Sequence, residues 1–226
     1  MAEWFASPFF GISISILAFW AGEIFQKKTK TRVLNPLIIA IVLVIGILSV
    51  FKIPYESYQA GGSLINMFLG PATACLAVSI YTKIEILKKN WLPILVGCTC
   101  GTLASMVSIY VMCRLFGLDE AMTMSLIPKS VTTPIAVGVS GSHGGIVPVT
   151  VVGVIITGNL GNIIAPTLVK IFGVKDSMTA GLSIGACSHA VGTSRAIQMG
   201  ETEGAMSGLA IGICGMITVL FSLFLS

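Results

Sequence analysis

Apolar runs and short polar connections alternate along the chain, and eight runs can be drawn. They cover roughly Pro8–Phe25, Pro36–Phe51, Ser63–Tyr81, Trp91–Leu115, Ala121–Val139, Ile146–Phe172, Thr179–Met199 and Gly204–Leu225. A helix of about 20 apolar residues crosses the hydrocarbon core of a bilayer. The pattern therefore predicts an all-α polytopic membrane protein. No connection is long enough to be a separate soluble domain, so residues 1–226 read as one transmembrane domain. Residues 1–57 would supply two leading spans, and residues 58–226 a core.

Three of the runs are interrupted by polar and helix-breaking residues. The third holds Asn66, Gly70-Pro71 and Thr73, and the seventh reads GLSIGACSHAVGTSRAIQMG. The fifth leads into IPKSVTTPIAVGVSGSHGG, from Ile127 to Gly145. A proline inside a helix removes one donor and presses on the carbonyl four residues back. Pro128 and Pro134 are therefore expected to free the carbonyls of Met124 and Ser130. Orphaned backbone groups persist at membrane depth only where protein or a watery cavity covers them. The three runs thus predict broken helices around a polar pocket, the arrangement secondary transporters use for their substrates. RLFGLDEAMT (Arg114–Thr123) and KIFGVKDSMT (Lys170–Thr179) also align at an offset of 56 residues. The repeat unit they suggest is one broken segment plus one long continuous span.

Composition agrees with this class. The chain is 55% hydrophobic and 10% charged, with a mean hydropathy of +0.97, whereas soluble domains carry about 25% charge. The formal net charge of +4 bears on topology rather than nucleic acid. Lys27, Lys28, Lys30 and Arg32 crowd the first connection, and Lys83, Lys88 and Lys89 the third. The positive-inside rule puts those two connections in the cytoplasm and both termini outside. Met1–Ser7 has no basic leader, so the first run reads as the first span. Cys75, Cys98, Cys100, Cys113, Cys187 and Cys214 lie in apolar segments without C-x-x-C spacing, which suits packing between helices rather than metal or redox chemistry. The sequence lacks H-E-x-x-H, G-x-S-x-G and P-loop motifs. No enzyme activity, cofactor or metal is expected.

Four constellations are candidates for chemistry. Lys129, flanked by Ser130, Thr132 and Thr133, either binds a carboxylate or phosphate as a point charge or snorkels along its stem to the headgroups. Ser188, His189, Thr193 and Arg195 fall within two helical turns. His189 either accepts a coupling proton or hydrogen-bonds between helices. Arg195 either holds an anion or pairs with Glu201 or Glu203. Asn159 and Asn162 share a helix face and suit structural bonding across an interface. Ser140–Gly145 reads as a flexible turn, with an anion-binding nest as the alternative.

LIPKSVTTPIA (Leu126–Ala136), the Gly144–Pro148 exit, VIITGNLG (Val154–Gly161) and ACSHAVGTSRAIQMGETEGAMSGLAIGI (Ala186–Ile213) resemble the LrgB/CidB family of bacterial membrane proteins. The resemblance covers essentially the whole chain. It implies one of two activities. Members are commonly described as antiholin-like or holin-associated regulators of murein hydrolases and autolysis. Related proteins take up pyruvate, and a plastid relative exports glycolate and imports glycerate. The resemblance also implies a bacterial plasma-membrane location and a small LrgA/CidA-like partner, in a homo- or hetero-oligomer. The expectation is a carrier of small monocarboxylates, proton-coupled, with Lys129, Ser130, Thr132 and Thr133 facing Ser188, His189, Thr193 and Arg195 across the site. The alternative is an antiholin or holin-like regulator.

Overall fold

A computed structural model describes residues 7–29, 36–68 and 84–225, with Pro71, Ala74, Val78 and Tyr81 in between. The described residues form ten α-helices and one 3₁₀ turn, with no strand among them. By length and composition four helices can cross a membrane: α1 (Pro8–Thr29), α5 (Trp91–Leu115), α8 (Val147–Ile171) and α10 (Glu201–Ser222). Helix α2 (Pro36–Val50) is apolar but shorter. The remaining helices are α3 (Tyr55–Met67), α4 (Ile84–Lys89), α6 (Glu120–Leu126), α7 (Thr133–Ser142) and α9 (Ser177–Met199). The expected third run begins late: α3 starts at Tyr55 and carries Asn66 inside its last turn. Gly70 and Thr73, which marked the expected break in that run, lie outside the described residues.

The chain divides into two compact units, Met1–Ala72 and Thr73–Ser226. In the first, α1 packs on α2 and α3. Gly11 of α1 and Gly61 of α3 face each other so closely that a Cβ on either would strike the partner backbone, at Tyr58 O and Pro8 O respectively. Small residues that let backbones approach are a common way for helices to pack in lipid. Ser15 closes the contact by donating to Gly11 O (2.7 Å) and sharing a hydrogen bond with the Tyr58 hydroxyl (3.0 Å).

In the second unit α10 is the central helix. Within its most apolar window 67% of the residues are buried, against 22% for α5 and 28% for α8. Most residues in the windows of those two helices are not buried. The core joins α5 and α10 through Ile94, Cys98, Met206, Leu209 and Cys214. Helix α9 lies against α10 along a glycine seam, where a Cβ at Gly181 would sit 2.5 Å from Glu203 O and one at Gly185 would strike Ser207 O.

The aligned stretches at the 56-residue offset have matching structure. Helices α5 and α8 are both 25 residues long and start at Trp91 and Val147. Each is followed by a glycine with positive φ, Gly117 (66°) and Gly173 (62°). Leu118 N then donates to Cys113 O (2.9 Å) and Val174 N to Val169 O (3.0 Å), as in a Schellman end. Asp119 and Asp176 cap the helices that follow, accepting from Met122 N and Thr179 N at 2.7 Å. Both of the following segments are interrupted.

Candidate functional site

The interruption in the fifth run is built by its prolines. Helix α6 ends at Leu126, and Ile127–Ser130 tightens into a 3₁₀ turn with Pro128 at φ −83°, ψ 15°. Val131 and Thr132 are extended, and α7 restarts at Thr133. Pro134 sits in the first turn of α7, where a missing N–H has no intrahelical partner to lose. It starts a helix rather than breaking one from inside, which corrects the expected position of the break.

Lys129 lies in this turn and is half-buried. Its Nζ donates to Ser130 Oγ (3.1 Å), and Ser130 Oγ shares a hydrogen bond with Ser105 Oγ of α5 (2.7 Å). No acidic side chain pairs with it: among the described residues the one ion pair is Lys27–Glu23, at 3.6 Å. The Thr132 hydroxyl is buried without a hydrogen-bond partner, as is that of Thr102 on α5.

The seventh run is interrupted at His189, whose backbone has φ 41°, ψ −141°. Positive φ in a residue other than glycine is uncommon and costs of order 1–3 kcal/mol, so the surroundings must fix it. The buried imidazole does so by donating from Nε2 to Val154 O of α8 (3.0 Å). Thr193 adds a second tie, donating to His189 O (2.9 Å) and sharing a hydrogen bond with Ser207 Oγ of α10 (2.6 Å).

Helices α8 and α9 together wall a groove of about 750 Å³. Its α8 side runs from Gly153 to Phe172, and its α9 side from Ala180 to Ser188. Lys129 enters at the Gly153 end, where a Cβ on that glycine would lie 3.7 Å from Lys129 Cβ. Thr157, Cys187 and Ser188 share the lining toward that end. From Ile164 to Phe172, just past the end of α8, every lining residue is apolar.

Of the eight residues expected to face one another, Lys129 and Ser188 line the groove. Ser130 stands one hydrogen bond behind Lys129. Thr132 and His189 are buried away from the groove lining, and Thr133 begins α7. Thr193 turns to α10, and Arg195 Nη1 donates to Gln198 Oε1 (2.8 Å) rather than pairing with Glu201 or Glu203. Sequence reasoning passed over Thr157, Ser183 and Cys187, which line the groove, and Ser105, which holds Ser130. The usable signal was the row Thr99, Thr102, Ser105 and Ser108, hydroxyls at i, i+3 spacing along one apolar span.

The Gly158–Asn162 stretch works through its glycines. Asn159 donates back to Ile155 O on its own helix (2.7 Å), so it does not bond across the interface as expected. Gly158 instead leaves room for the His189 ring, and Gly161 for the Ser188 side chain. The Ser140–Gly145 turn is a structural corner. His143 Nε2 bonds Ser222 O of α10 (2.8 Å), Thr150 Oγ1 donates to Ser140 Oγ (2.7 Å), and Gly145 N donates to Ser140 O (2.8 Å).

Residues 15–226 match the LrgB-like family. A Bacillus mycoides protein named antiholin-like protein LrgB is 37% identical over 215 residues, covering 95% of this chain and 94% of the relative. Proteins of the same name from Bacillus cereus (strain B4264) and Bacillus anthracis are 36% identical with the same coverage. No solved structure matches.

Proposed function

This chain belongs to the LrgB-like family, and we propose that it is a multi-pass transporter of the bacterial cell membrane for small monocarboxylates. The substrates are acids of the pyruvate, glycolate or glycerate class. The observation that carries this reading is Lys129: a cation in an apolar chain, beside a helix break, at one end of a groove, with no acidic partner among the described residues. A cation at membrane depth is costly and marks a functional site. A carboxylate would offset that cost through charge-assisted hydrogen bonds. Ser130 holds the ammonium through one donor, and its other two remain for an anion. Thr157 and Ser188 add hydroxyls to the lining of the same groove. Proton drive and a small LrgA/CidA-like partner belong to the proposal. In it, His189 maintains the kink and substrate contact falls to Lys129.

The name of the relatives, antiholin-like protein LrgB, favours a second reading, a regulator or component of a holin-like pore. The two differ in saturability. Purified protein in liposomes should take up labelled pyruvate, glycolate or glycerate with saturation, and a pH gradient should change the rate. Running the assay with and without the partner tests its part. Passage of unrelated solutes without saturation supports the pore and sinks the carrier.

A further inference from the structure

Three-carbon acids leave most of the groove unused. Pockets of about 300–1,000 Å³ enclose drug-sized ligands, and this one measures about 750 Å³. Its lining on α8 spans Gly153 to Phe172, about 28 Å at 1.5 Å per residue. Polarity is graded along that length. Lys129 lines the half nearer Gly153, with Thr157, Cys187 and Ser188, whereas beyond Gly161 the only polar lining residue among those described is Ser183. A groove with one unpaired cation at one end and an apolar remainder matches an anion whose head is charged and whose body is not.

We infer that the preferred ligand of this groove is a monocarboxylate with an extended apolar chain, its carboxylate at Lys129 and its chain directed along α8 toward Leu168 and Phe172. This rests on the carboxylate reading of Lys129 given above and narrows it to a substrate class. Three-carbon acids are then short members of the series, bound by the head alone. Each buried methylene stabilises by about 0.8 kcal/mol, so affinity should rise about two- to fourfold per CH₂, the lower figure applying where the groove is open. A hydroxyl on the chain, as in glycerate, should weaken binding relative to an apolar chain of equal length. A phospholipid acyl chain shares the apolar chemistry, but it carries no carboxylate for Lys129.

The test uses the full chain in liposomes with two readouts. One is inhibition of labelled pyruvate uptake by acetate, butyrate, hexanoate and octanoate, with the primary alcohols of equal length as controls. The other is the rate at which a thiol reagent modifies Cys187, which is exposed and lines the groove. That rate reads occupancy without requiring transport. The expected result is potency rising with chain length for the acids, little effect of the alcohols, and slowing of Cys187 modification in the same order. Leu168→Trp, which narrows the distal end, should stop the rise at shorter acids. Saturable pyruvate uptake with a flat or falling length series would overturn the chain preference and leave the transport reading standing. Alcohols as potent as acids would overturn the pairing with Lys129 and identify a cleft for lipid chains. Absence of both saturable uptake and Cys187 protection by any acid would overturn the carboxylate reading together with this one.

Discussion

Gly158→Ala adds one methyl group at the contact that fixes the seventh run's kink. The new Cβ would stand 2.6 Å from His189 Cε1, 2.9 Å from Nε2 and 3.0 Å from Val191 Cβ. Ordinary contacts are about 3.5–4.0 Å between carbons, so the ring must withdraw by roughly 1 Å. That motion takes Nε2 off Val154 O, now 3.0 Å away. Overpacking costs about 1–3 kcal/mol, and a buried donor left unpaired about another 1–3 kcal/mol. Alanine returns about 1 kcal/mol of helix propensity. The net destabilisation centres near 3 kcal/mol, which for a chain of this size corresponds to a melting point lower by roughly 6–12 °C. Melting of purified Gly158→Ala, His189→Ala and the double variant in detergent measures it. The two changes should be strongly non-additive, because His189→Ala removes the two nearest atoms that the new methyl strikes and leaves only the 3.0 Å contact with Val191 Cβ. A Gly158→Ala protein that melts at or above the parent's temperature would refute the reasoning, since propensity alone would then have decided the outcome.

Gly161→Ala places its Cβ on the Ser188 side chain. It should push that hydroxyl from its place and weaken carboxylate uptake at normal protein abundance; unchanged uptake kinetics would remove Ser188 from the site. Asp176 is held below the usual carboxylate range by the Thr179 hydroxyl first and the Thr179 backbone N–H second. A depressed folded value means that the cap stabilises fully above the ordinary carboxylate pKa and loses this as pH falls through the lowered one. Asp176→Ala should therefore lower the melting temperature at neutral pH, and the gap to the parent should close in acid; a gap independent of pH contradicts the cap. Cysteines placed singly at Lys28 and Lys88 should resist impermeant reagents from outside, as the positive-inside rule expects, and strong outside labelling at position 28 would reverse the topology.

What the sequence revealed differs from one element to the next for physical reasons. The breaks in the fifth and seventh runs were legible because their causes are local: Pro128 removes a donor, and a histidine among glycines and hydroxyls does not belong in a plain span. The ends of α5 and α8 were legible too, since Phe-Gly followed two or three residues later by an aspartate encodes a helix stop and the next cap. Pairing across space was not legible. Ser188 and Arg195 are seven residues apart on α9, yet one lines the groove and the other reaches along its own helix to Gln198. Which side of α9 meets α10 is decided by the seam at Gly181 and Gly185, and glycines reveal their partners only once both helices are placed. Pro134 misled for a related reason. The same residue breaks a helix from inside and begins one from its first turn, and the position of that turn follows from the extended Val131-Thr132 before it. Asn159 looked like an interhelical bond, but its amide finds a nearer acceptor at Ile155 O.

The central claim is that Lys129 supplies the charge that holds a carboxylate, and binding to Lys129→Met tests it most directly. Methionine keeps an unbranched apolar stem and removes the ammonium. Lys129→Arg keeps the charge but replaces a compact ammonium by a planar fork. With pyruvate as ligand on purified, folded protein, Lys129→Met should lose roughly 1.5–3 kcal/mol, about tenfold or more in affinity, and Lys129→Arg should lose less. Lys129→Met binding pyruvate as tightly as the parent would contradict the account, leaving the lysine a snorkelling side chain and the groove without its anion site.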